Sequence, residues 1–170
     1  MKIRAAPYIK QRAETMAFLL SVDLGLKTGL ALYGRDGRLI WYRSQNYASA
    51  RRLKSAVYGI FNETSEISRL VIEGGGRLAD IWIKEADRRG IRVIQISAET
   101  WREKFLYHRE QRNGPQAKRN AGILARKVIK WSGAKRPTSL RHDAAEAILA
   151  GLWGVIDAGW LKDIPIQIRP

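Results

Sequence analysis

The sequence predicts an α/β domain on a mixed five-stranded sheet, three antiparallel strands followed by two parallel ones, flanked by helices. Three observations carry this. Short apolar runs of strand length recur along the chain. The first three are joined by tight turns, too short for a crossover. The later ones alternate with stretches whose apolar residues recur at helical spacing.

The elements follow in order. Residues 1–16 are polar and basic without a clear period and read as a flexible N-terminal arm. Residues 17–160 form the domain, and residues 161–170 form an irregular C-terminal tail. "AFLLSVD" (Ala17–Asp23) is a continuous apolar run, as a central buried strand requires. Gly29–Gly34 and Arg38–Tyr47 are the next two strands, with Asp36-Gly37 at the core of the hairpin between them. Gly25 and Gly29 read as the residues that let the chain turn back after Asp23. Ala48–Ser65 carries Leu53, Val57, Ile60 and Phe61 at helical spacing. Ser68–Gly74 is a buried strand, Leu78–Gly90 a helix closed by glycine, and Ile91–Ser97 a third core strand. Ala98–Tyr107 opens a short helix. Residues 108–118 read as a polar loop punctuated by Asn113-Gly114-Pro115. Lys118–Gly133 is a helix, Ala134–Arg141 a basic loop, and His142–Gly159 an alanine-rich helix favoured by propensity.

Composition narrows the class. Apolar residues are 45% of 170, enough for a full core. No apolar run approaches the roughly 18 residues of a membrane span. The stretch after Lys2, Arg4, Lys10 and Arg12 is too short for a secretory signal and stops at Asp23. Cysteine is absent, which excludes a disulfide frame and thiolate metal sites and fits a reducing cytoplasm. Lysine and arginine number 31 against 16 acids, a net charge of +15. Such a surface meets a polyanion. The excess is spread along the chain rather than gathered on one amphipathic helix, which favours nucleic acid over membrane.

Against that basic background four acids stand at element ends. Asp23 and Glu73 each close a buried strand. Asp143 and Glu146, three apart, share one face at the start of the last helix. Taken singly, Asp23 fits a turn, Glu73 a solvated strand end, and the other two a helix start that suits its dipole. Their conjunction points to a site, because sites on open α/β sheets form at the carboxyl ends of strands. Clustered carboxylates repel one another unless cations sit between them. Oxygen-only ligands suit Mg²⁺ or Mn²⁺. Two such ions about 3.5–4 Å apart clamp the attacking and leaving oxygens of a phosphoryl displacement.

"SVDLGLKTGLALY" (Ser21–Tyr33), "LVIEG" and "HDAAEAILAG" resemble, in that order, the acidic motifs of RuvC-type Holliday junction resolvases in the RNase H-like nuclease superfamily. "AETWREKF" and "GPQAKRNA" fall where that family keeps a connecting segment and a lysine-bearing helix start. The resemblance spans roughly Ala17 to Trp153. It implies an RNase H-like fold, a homodimer, and Mg²⁺-dependent cutting of four-way DNA junctions in recombination and repair. It also implies Asp23, Glu73, Asp143 and Glu146 as catalytic metal ligands, with Lys118 beside the scissile phosphate. Glu146 stands where the family usually has Asp, which lengthens the reach by one methylene. The glycine-rich "GGGR" after Glu73 and the basic N-terminal arm also depart from the pattern. Small divergent versions occur in bacteriophages, so the expected setting is the cytoplasm of a bacterium or of a phage-infected host. His142, four residues before Glu146, is an additional candidate ligand or proton donor. His108 reads as a solvated loop residue.

From Trp101 to Arg141 twelve basic residues face two acids. Arg109, Arg112, Lys118, Arg119, Lys135, Arg136 and Arg141, with Arg77 after the glycines, are the candidate DNA contacts, positioning phosphates without reading sequence. Arg126, Lys127 and Lys130 fit a solvated helix face equally well. Trp82 and Trp153 read as core or dimer contacts, while Phe105 and Tyr107 are candidates for stacking on an opened base. Other readings are an RNase H-like nuclease for RNA–DNA hybrid or RNA, a non-catalytic junction-binding scaffold, and an actin-like kinase. The kinase needs two such domains and a longer chain.

Overall fold

The computed structural model describes residues 16–169. The proposed basic arm therefore lies outside the described residues except for Met16. The chain runs β1 (Phe18–Asp23), β2 (Lys27–Tyr33), β3 (Leu39–Asn46), α1 (Ala50–Glu63), β4 (Ile67–Glu73), α2 (Arg77–Arg88), β5 (Arg92–Ile96), α3 (Ala98–Phe105), a 3-10 turn (His108–Glu110), α4 (Gly114–Ser132) and α5 (His142–Asp157).

The strands form one sheet in the order β3-β2-β1-β4-β5. β1 and β2, and β2 and β3, pair antiparallel, while β4 lies parallel to both β1 and β5. This is the mixed sheet expected from the sequence. β1 is central, and its Leu19, Leu20 and Val22 are almost wholly buried, as its unbroken apolar run requires.

Each face of the sheet carries its own core. Leu20, Val22, Leu70 and Ile72 pack against Leu53, Val57 and Phe61 of α1 and Trp82 of α2. Leu19, Tyr33 and Val71 pack against Trp101 of α3, Val128 and Ile129 of α4, and Ile148 of α5. α5 is buried along most of its length and lies close to the strands. Its small residues have a purpose beyond helix propensity. A side chain at Gly151 would strike Tyr33 and Ser21, and one at Gly154 would strike Val71. The Ser21 hydroxyl donates to the Ala147 carbonyl at 2.5 Å and the Tyr33 hydroxyl to the Ile148 carbonyl at 2.6 Å. Both bonds fix the height of α5 over β1 and β2.

Two local expectations change. α4 begins at Gly114, not Lys118, because Asn113 is its N-cap and accepts from the Gln116 amide at 2.8 Å. Proline in the first helical turn needs no amide partner, so Asn-Gly-Pro starts this helix rather than extending the loop. Phe105 is 3% exposed and belongs to the core, which removes it as a stacking candidate. The tail after Trp160 is irregular, yet Ile168 is fully buried against the α4/α5 core. Among the described residues no helix is long and apolar enough to cross a membrane.

Candidate metal centre

Asp23 and Glu73 end adjacent parallel strands and are direct partners in the ladder. Neighbouring strands lie about 4.8 Å apart, so the two acids are neighbours by construction. α5 crosses the same end of the sheet and brings Glu146, one turn into the helix, over them. Carboxylate oxygens of Asp23, Glu73 and Glu146 all lie within 4.8 Å of one another.

That closeness requires Gly29. It pairs with Asp23 across the β1/β2 ladder, inside β2 rather than in the turn. The backbone of Asp143 packs where its side chain would be. The turn itself is closed by Thr28, whose hydroxyl donates to the Gly25 carbonyl at 2.5 Å. Beyond Glu73, Gly74 and Gly76 both take positive φ, a conformation that glycine adopts freely as the chain leaves the strand and enters α2.

The acids suffer from their proximity. The Asp23 carboxyl is pushed up to about 8 by burial, and further by the charges of Glu73, Glu146 and Asp143 and a hydrogen bond with Glu146. Glu73 is pushed up to about 7, again chiefly by burial, with Glu146 and Glu99 adding to the rise. Two neighbours oppose it. The buried Trp101 indole N–H donates to Glu73 Oε2 at 2.7 Å, and the Arg102 guanidinium lies nearby. Arg102 also donates to Glu146 Oε1 at 3.2 Å.

The cluster fits a hard divalent cation. Its donors are all carboxylate oxygens, and their mutual repulsion is what a cation between them would relieve. Softer metals have no thiolate to bind, since the chain lacks cysteine.

The other site candidates fall as follows. Asp143, in the first turn of α5, is near enough to act on Asp23, but its Oδ2 accepts from the Ser44 hydroxyl of β3 at 2.5 Å. It stands outside the three-way convergence. His142 is exposed at the start of α5, also outside that group. Arg77 opens α2, and Arg141 immediately precedes α5. Arg109 lies in the 3-10 turn, its guanidinium 5.1 Å from the ring centre of the half-exposed Tyr107. Arg112 precedes α4, Lys118 and Arg119 lie in its early turns, and Lys135 and Arg136 follow it. All eight basic candidates are exposed. Among the described residues the cation paired with one of the three acids is Arg102, through Glu146.

Trp101 and Arg102 were not singled out by sequence reasoning. The one available cue was a tryptophan at a core position of a short helix directly after a central strand, since a buried indole N–H needs an acceptor.

A five-stranded sheet in this order, three strands antiparallel and two parallel with helices on both faces, is an RNase H-like fold. No protein-family model matches the chain, and no curated protein matches it in sequence. Solved structures do. Thermus thermophilus RuvC superposes with a TM-score of 0.61 at 13% identity, covering 84% of this chain and 95% of that one. The same organism's RuvC in complex with a Holliday junction substrate gives 0.62 at 13% identity, covering 88% and 99%. The yeast mitochondrial Holliday junction resolvase gives 0.54 at 11% identity, covering 91% and 88%. At these identities the likeness is one of fold, and the chain has the fold of RuvC-type resolvases.

Proposed function

We propose that the protein is a structure-selective endodeoxyribonuclease that resolves four-way and other branched DNA junctions in the cytoplasm, acting as a homodimer with Mg²⁺ or Mn²⁺ as cofactor. The observation that carries this reading is the convergence of Asp23, Glu73 and Glu146 at one end of a resolvase-type sheet.

Asp23, Glu73 and Glu146 would hold the ions, with Asp143 within reach of Asp23 as a further ligand. Divalent ions held there would acidify the attacking water and neutralise charge at the leaving 3′ oxygen. The chain's own residues do the rest. β1 and β4 present Asp23 and Glu73 on rigid strand ends. The Trp101 indole N–H holds the Glu73 carboxylate. Arg77, Arg109, Arg112, Lys118, Arg119, Lys135, Arg136 and Arg141, all exposed, would supply positive charge for the DNA phosphates, with Lys118 assigned to the scissile one. Two subunits related by a two-fold axis would present two such sites to opposite strands, giving paired nicks.

Cleavage of a four-way junction, a linear duplex and an RNA–DNA hybrid, side by side with Mg²⁺, tests the reading. The junction should be cut far faster than the other two. Preferred cutting of the hybrid, or cutting of none of the three, would refute it.

A further inference from the structure

Arg102 is a cation beside the acid cluster, and its guanidinium carbon lies 5.3 Å from the centre of the Trp101 ring. It donates a single hydrogen bond to Glu146, at 3.2 Å. Arginine and carboxylate at their best meet through two parallel N–H groups at shorter range. Here the Arg102 Nε is buried with no partner, which leaves a desolvated donor unsatisfied. The side chain retains 22% of its exposure, so a route to solvent is open. Its charge also acts on Glu73 and Glu99. A guanidinium does not lose its proton, so this charge is removed only by moving the side chain.

Three carboxylates this close can all be ionised only with positive charge among them. We infer that Arg102 is a built-in counter-ion of the metal-free site, which occupies Glu146, competes with the incoming divalent ion, and so sets the metal affinity. The inference rests on the metal reading above. The arginine keeps the cluster assembled before metal arrives. A single bond to Glu146 and stacking on the Trp101 ring at 5.3 Å hold it less firmly than a two-pronged carboxylate pair would, so a divalent ion can displace it from Glu146. Its neighbour Trp101 has the opposite effect, since a neutral donor to Glu73 steadies a ligand without competing for the ion. One short helix thus presents a competitor and a support on consecutive residues.

Calorimetric titration of Mn²⁺ into metal-free wild-type, Arg102→Gln and Arg102→Lys protein, at one pH and ionic strength, tests this without reference to activity. Circular dichroism confirms that each variant is folded. Arg102→Gln should bind Mn²⁺ about three- to tenfold more tightly, since a nearby positive charge is gone. Arg102→Lys, which keeps the charge, should stay near wild type. Thermal melts supply a second readout: Arg102→Gln should melt below wild type without metal and level with it when Mn²⁺ is saturating. Unchanged or weaker Mn²⁺ binding by Arg102→Gln, or the same melting deficit with and without metal, would overturn the counter-ion role alone. Absence of Mn²⁺ binding by the wild type would overturn the metal reading and this inference together.

Discussion

A β-carbon on Gly29 would stand 1.9 Å from the carbonyl oxygen of Asp143. No side chain fits in that gap. The close approach joins the middle of β2 to the first turn of α5 and sets how near Glu146 comes to Asp23. Gly29→Ala should therefore lift the start of α5 from the sheet. We expect a loss of about 1–3 kcal/mol of stability, typical of overpacking. We also expect a loss of Mn²⁺ affinity, which Gly59→Ala, at an open helical position, should not show. Urea denaturation and calorimetric titration of both variants check this. Wild-type affinity in Gly29→Ala would mean that the close approach does not assemble the site.

The protonation of the acids makes metal-free stability depend on pH in a defined sense. Asp23 is raised from an ordinary value of 3.8 to about 8, and Glu73 from 4.5 to about 7. Both carboxyls thus hold protons more tightly folded than unfolded. Their contribution is fully present below about pH 4 and is lost as pH rises through about 7 and 8. Melting of the metal-free protein should fall by several degrees between pH 5 and pH 8.5. Added Mg²⁺ should recover more of the loss at the higher pH. A metal-free melting temperature that rises over this window would contradict the arrangement of the acids.

The same repulsion predicts a trade of stability against activity at Asp23. Asp23→Asn removes one buried charge while keeping the shape. Without metal at pH 8 it should melt several degrees above wild type, whereas Glu85→Gln should not, because Glu85 already pairs with Arg89 at 2.9 Å. Differential scanning fluorimetry with and without Mg²⁺ checks both. Stabilisation by Mg²⁺ should shrink or vanish in Asp23→Asn.

Neutralising the proposed phosphate contacts should act on binding and leave the chemistry alone. Lys135→Gln with Arg136→Gln, both in the exposed loop before α5, should weaken junction binding. The slope of log affinity against log salt should become shallower by roughly 2, about 0.9 for each phosphate that a side chain stops neutralising. Single-turnover cleavage at saturating protein should be unchanged. Filter binding across a salt series measures the slope, and an unaltered slope would take this loop out of the DNA path.

The sheet was legible because its strands are unambiguous: Leu19–Val22 and Leu70–Ile72 are uninterrupted apolar runs but for Ser21, and each stops at an acid. That stop marks Asp23 and Glu73 as candidates, and their conjunction with the two acids of the last helix points to a site. The partnership of Asp23 with Glu73 could not be read, since register is a property of the folded ladder. Glu146 was readable from its spacing to Asp143, but not the fact that Glu146 converges while Asp143 turns to Ser44. That choice depends on the roll of α5, which Ser21, Tyr33 and Gly29 fix from distant parts of the chain. The start of α4 was misplaced because Asn-Gly-Pro is equally at home in a loop and in a cap. Trp101 and Arg102 were passed over because their partners, Glu73 and Glu146, lie 28 and 44 residues away in sequence.

The most direct test is nicking of an end-labelled synthetic four-way junction, mapped at nucleotide resolution, by wild-type and Asp23→Asn protein with Mg²⁺. Wild type should leave paired nicks at symmetric positions in opposite strands, and Asp23→Asn should bind the junction with wild-type affinity and cut nothing. Equal cutting by the two proteins, or no cutting by wild type, would contradict the assignment of Asp23, Glu73 and Glu146 as a nuclease centre.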